Sequence, residues 1–277
     1  MTPRNAAARR PGLPTSIAPF AHIALVAAIS VRWMFGVNPQ GWLDDRCAAA
    51  LPFDDPGILG AAFRHFAAHS PIGTADTRGD VWIFLAVILL GVVVCRGALS
   101  LFRGPSRILG AVVAGVLATE SCWPVVTSNE HSPLTTLTWL AFTIISMVGV
   151  FSIVRALVQH GKVTGRAFAH TVAASLWLVL IDVQAGVVLG GLLMAAAVTR
   201  RFKGTRRSVS PIPWKTVLLL VGFAILIAVP TLLRDPTAGE RLLHATNPVR
   251  LDLDGLRSSP AGFPARLYLP ACALLLV

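Results

Sequence analysis

Apolar runs alternate with short polar stretches along most of the chain. A helix that crosses the hydrocarbon core of a bilayer needs about 20 consecutive apolar residues. Runs of that length lie at about Ile17 to Val37, Val81 to Leu99, Ile108 to Val126, Leu134 to Val154 and Trp214 to Leu233. Between the fourth and the last lies Ala167 to Thr199, apolar at most positions and interrupted mainly by Asp182 and Gln184. This region is too long for one span and just long enough for two, with a turn near Asp182. The pattern predicts an all-α, polytopic transmembrane helix bundle of six to seven spans. Residues 1–16 form an N-terminal tail. Residues 17–203 form the core, with a long loop over 38–80. Residues 204–233 supply a basic linker and an additional helix, and 234–277 an irregular tail.

Composition agrees with this pattern. Of 277 residues, 55% are hydrophobic and 13% charged, where a soluble domain carries roughly 25% charged residues. Mean hydropathy is +0.69. The net charge of +11 would suggest nucleic acid in a soluble protein, but here no basic patch is interleaved with aromatics. The base is distributed by loop instead. Arg4, Arg9 and Arg10 precede the first span, and Arg96, Arg103 and Arg107 separate the second from the third. Arg155, Lys162 and Arg166 follow the fourth, and Arg200, Arg201, Lys203, Arg206, Arg207 and Lys215 follow the sixth. Alternate loops are poor in base: 38–80 holds six aspartates against three arginines, and Thr127 to Pro133 holds neither Lys nor Arg. Cytoplasmic loops carry the excess of Lys and Arg, which predicts a cytoplasmic N-terminus in a plasma or inner membrane.

Several features are structural expectations. The N-terminal Arg-rich segment imitates a signal peptide but lacks a small-residue cleavage pattern, and reads as a retained first helix. Ile58 to Ala67 has helical spacing of Leu59, Phe63 and Phe66, suited to an interfacial helix or to a loop helix packed on the bundle. His65 and His69 are four apart but have no accompanying acid, and Cys47, Cys95, Cys122 and Cys272 show no metal-ligand spacing. No metal site or cofactor is expected. Gly186 with Gly190, and Ala111 with Gly115, form small-residue faces for close helix approach. Leu267 to Val277 is apolar but too short to cross, and lies on the surface unless the chain continues.

The stretch Thr127 to Pro133 separates two spans and is polar or helix-breaking throughout. Ionisable groups within spans are costly and are functional candidates by default. Glu120, His131 and Asp182 qualify, all placed at or near the outer face by the charge pattern. A histidine and a carboxylate there suit acid/base or phosphoryl chemistry. The alternatives are a solvated loop histidine, a helix-start cap for Asp182, and a buried polar tie between helices for Glu120.

Three local features carry a resemblance to the type 2 phosphatidic acid phosphatase (PAP2) family over about residues 17 to 203. They are Gly41-Trp42-Leu43-Asp44-Asp45 followed by Arg64-His65-Phe66, Ser128-Asn129-Glu130-His131 before Leu134-Thr135-Thr136, and Asp182-Val183-Gln184-Ala185-Gly186-Val187-Val188-Leu189-Gly190. The resemblance implies that His131 protonates the leaving group and that Asp182 orients the nucleophile. Ser128, Asn129 and Glu130 become candidate substrate-binding residues. The chain departs from the family pattern elsewhere. No Lys or Arg lies between Ile108 and Ser128, and the positions of the third motif's arginine and nucleophilic histidine are Val172 and Leu178. Phosphoryl transfer depends on cations that stabilise charged oxygens. The expectation is therefore a lipid-phosphate phosphatase-like protein, a hydrolase with weak or lost activity toward lipid or isoprenyl phosphates. A non-catalytic lipid- or protein-binding membrane protein and a small transporter or flippase subunit are the alternatives.

Overall fold

A computed structural model describes residues 17–36, 78–102, 106–127, 133–202 and 211–234, with six further positions between 268 and 275. All regular structure among the described residues is helical. The helices are α1 (Ile17–Gly36), α2 (Arg78–Leu101), α3 (Arg107–Thr127), α4 (Pro133–His160), α5 (Gly165–Ile181), α6 (Val183–Phe202) and α7 (Trp214–Arg234). The boundaries follow the apolar runs closely, because charge and helix breakers end each run. The exception is α4, which runs to His160 rather than ending near Val154. It stops where Gly161 takes a positive φ of 69° and its N–H bonds back to the Leu157 carbonyl at 2.8 Å, a left-handed ending suited to glycine. The side-chain oxygen of Thr164 then caps α5 by accepting from the Ala167 N–H at 3.3 Å.

Four helical segments are long and apolar enough to cross a membrane: Trp82–Leu101, Arg107–Val126, Thr136–His160 and Val183–Phe202. Apolar segments of α1, α5 and α7 are shorter. The bundle has two cores that share α4. Its first half packs with α1, α2 and α3 around Leu25, Ile83, Leu90 and Leu140. Its second half packs with α5 and α6 around Ile153, Leu178, Leu189 and Leu193. Cys95 and Cys122 are buried as small apolar groups. Outside the cores, α1, α3 and α7 expose large side chains such as Phe20, Leu109, Leu117, Leu219 and Leu226. So much exposed apolar surface is unusual in a soluble monomer and suits contact with lipid.

In a bilayer the packing of helices depends on close fit rather than on expulsion of water. The small-residue faces supply that fit. A Cβ built on Gly115 would stand 2.9 Å from the Gly91 carbonyl oxygen, so α2 and α3 touch backbone to backbone. A Cβ on Gly190 would lie 3.2 Å from Ser175, whose hydroxyl donates to the Gly190 carbonyl at 3.0 Å. Near the chain end, Tyr268 and Leu275 pack against the α4–α6 core. Arg200 Nε donates to the Leu275 carbonyl at 2.8 Å. The described positions near the chain end thus touch the bundle, with Leu274 left exposed.

Candidate functional site

Asp182 is the single residue between α5 and α6. Its backbone is extended, with φ −147° and ψ 116°. Its N–H donates to the Leu178 carbonyl at 3.0 Å and closes α5, while its carbonyl accepts from Gly186 N–H at 2.8 Å and opens α6. Its Oδ1 accepts from Ala185 N–H at 2.9 Å. A carboxylate at this position satisfies free amides and opposes the helix dipole. The Asp182-to-Gly190 motif therefore builds a tight antiparallel hairpin: an acid to cap, then two glycines to let α6 lie on α5. The residues the sequence singled out here thus have a structural role in the hairpin.

Ser128, Asn129, Glu130 and His131 lie outside the described residues, as do the 38–77 loop and its His65 and His69. The helix ends that frame the 128–132 connection are placed, and they show how Asp182 stands relative to it. Gly149 of α4 is level with Ala174 of α5, whose Cβ would be 3.4 Å from a Cβ on Gly149. From that level α4 continues sixteen residues to Pro133, about 24 Å at 1.5 Å per residue. Asp182 is only eight residues on, about 12 Å. Counted from that contact, the start of α4 reaches about 12 Å farther along the bundle than Asp182 does. One turn into α4, the Thr136 hydroxyl is buried and has no hydrogen-bond partner among the described residues.

Glu120 ties two helices, but not as a buried residue. Arg32 Nε of α1 donates to Glu120 Oε1 of α3 at 2.8 Å, and their side chains are 44% and 38% exposed. The Arg32 guanidinium also stacks on Trp123, 4.6 Å from the ring centroid. Arg32 escapes a reading by loops because it lies inside an apolar run. The signal was available: a lone arginine in a span needs a partner.

A second signal was also available. Trp82 and Arg96 are fourteen residues apart on α2, while Arg107 and Trp123 on α3, and Trp139 and Arg155 on α4, are each sixteen apart. Those spacings correspond to about 21–24 Å of helix. The packing aligns the layers. Gly91 meets Gly115, and a Cβ on Gly97 would meet the Phe151 ring. Counting from those contacts puts the three tryptophans within about 5 Å of one another along the axis. Across α2, α3 and α4, Trp82, Trp123 and Trp139 lie at one end and Arg96, Arg107 and Arg155 at the other, although Arg32 and Arg78 also stand at the tryptophan end and Trp214 opens α7. Tryptophan concentrates at membrane interfaces and basic residues on the cytoplasmic side.

Among the described residues no three His, Cys, Asp or Glu side chains gather as metal ligands. Comparison with protein-family models, with curated proteins and with solved structures finds no match. The family likeness accordingly rests on the local sequence features alone.

Proposed function

We propose that the chain is an integral membrane protein with a PAP2-like layout whose lipid-phosphate phosphatase activity is weak or lost. It crosses the membrane six or seven times, N-terminus in the cytoplasm, with the 128–133 connection on the outer face. The tryptophan and arginine layers support that orientation. One observation carries the loss of activity: Leu178, at the position the resemblance gives to the nucleophile, is fully buried among Phe142, Ile181, Ala185 and Leu189. No imidazole is there to take a phosphoryl group. Asp182, the residue that would orient that nucleophile, is engaged as a helix cap. The same observation favours a non-catalytic lipid- or protein-binding membrane protein over an enzyme that turns over.

Purified protein incubated with phosphatidic acid or an isoprenyl diphosphate is expected to release phosphate at the blank rate. His131→Ala should leave that rate unchanged. Release well above the blank, abolished in His131→Ala, would overturn the reading.

A further inference from the structure

The Arg32–Glu120 pair faces outward from two helices whose other exposed side chains are mostly apolar, Ser121 beside Glu120 being a polar exception. Its neighbours are Val31 on α1 and Leu117 on α3, both exposed. Below Glu120, Leu117, Val113 and Leu109 are spaced four residues apart and are 63%, 45% and 68% exposed. Such spacing places them in one stripe along the helix. Trp123, one turn beyond Glu120, fixes the level of the pair as just inside the interfacial tryptophan layer. A charge pair turned toward lipid at this depth is costly when its remaining polar atoms have only hydrocarbon beside them.

We propose that Arg32, Glu120 and the Leu117–Val113–Leu109 stripe bind one phospholipid with a primary-ammonium zwitterionic headgroup, in the leaflet at the tryptophan-rich end. The ion pair uses Arg32 Nε and Glu120 Oε1. Both Nη groups of Arg32 then donate to the lipid phosphate, and Glu120 Oε2 accepts from the lipid ammonium. Trp123 holds the guanidinium plane from its other side, and an acyl chain follows the stripe toward the bundle centre. Charge decides the lipid class. The pair is electrically neutral, so it matches a neutral zwitterion and gains little from a purely anionic headgroup. An ammonium with N–H donors fits a carboxylate oxygen better than a quaternary ammonium, which has none. This inference rests on the membrane placement and not on the phosphatase-like layout.

Native mass spectrometry of the full chain tests it, with lipids added as phosphatidylethanolamine, its dimethyl form, phosphatidylcholine and phosphatidylglycerol. A charge-assisted hydrogen bond at a half-exposed site is worth roughly a fivefold preference. Phosphatidylethanolamine should be retained roughly fivefold over phosphatidylcholine and phosphatidylglycerol. Glu120→Gln keeps an oxygen for Arg32 and so preserves the helix tie, but should erase that preference. Arg32→Gln should lower retention of all four lipids. Equal retention across the series, a preference for phosphatidylglycerol, or an unchanged preference in Glu120→Gln would each overturn the proposal. The readout is bound lipid, so it stands or falls apart from phosphate release.

Discussion

Gly186→Ala is expected to lower the stability of the protein by about 2 kcal/mol, although alanine is the better helix former. A Cβ at this position falls on the backbone of Leu178 and Val179 in α5. No side chain is available to swing aside. The hairpin has a single residue, Asp182, in which to absorb a shift. Overpacking of this kind costs about 1–3 kcal/mol and occasionally more. The gain in helix propensity offsets about 1 kcal/mol of it. Thermal unfolding in detergent should fall by roughly 5 °C, at about 2–4 °C per kcal/mol for a chain of this size. Gly191→Ala is the matched control, since a Cβ there meets nothing within 4 Å. It should leave the midpoint unchanged or slightly raised. Equal midpoints for the two variants would mean that α5 and α6 are not in backbone contact.

Leu178→His places an imidazole where the family likeness would have the nucleophile, and it is expected to destabilise rather than to activate. The Leu178 side chain is fully buried in the α4–α6 core. An imidazole of similar size brings two nitrogens with no partner supplied by the apolar side chains around it. An unsatisfied buried polar group costs about 1–3 kcal/mol, and the altered shape adds to that. The sum is about 2–4 kcal/mol, seen as a drop of roughly 5–15 °C in the unfolding midpoint. Phosphate release should stay at the blank rate. A variant that keeps its midpoint and gains phosphate release would show a complete site lacking only its nucleophile.

The helix boundaries were legible in the sequence because long apolar runs ended by charge leave a chain in lipid few choices. The hairpin turn at Asp182 was legible for the same reason, and its glycines told where α5 and α6 approach. Two things depended on contacts between distant segments. Glu120 was visible as a polar group in a span, but its partner Arg32 is 88 residues earlier and no local pattern links them. The depth of Asp182 relative to the start of α4 follows from which residues of α4 and α5 meet, and that is set by packing at Gly149 rather than by run length. A charge count puts Asp182 and the 128–133 connection on one face without putting them on one level. The tryptophan layer was present in the spacing of Trp82, Trp123 and Trp139 from Arg96, Arg107 and Arg155, and became meaningful once the helices were aligned.

A bundle that crosses the membrane in the proposed orientation holds its tryptophan-rich end outside. Cysteine labelling in intact cells tests this directly, in a chain whose four cysteines are replaced by alanine. Single cysteines are introduced as Ser132→Cys, between α3 and α4, and Lys162→Cys, between α4 and α5. A membrane-impermeant maleimide should label Ser132→Cys from outside, and Lys162→Cys only after the membrane is opened. Labelling of both sites from the same side, or of Lys162→Cys alone from outside, would contradict it.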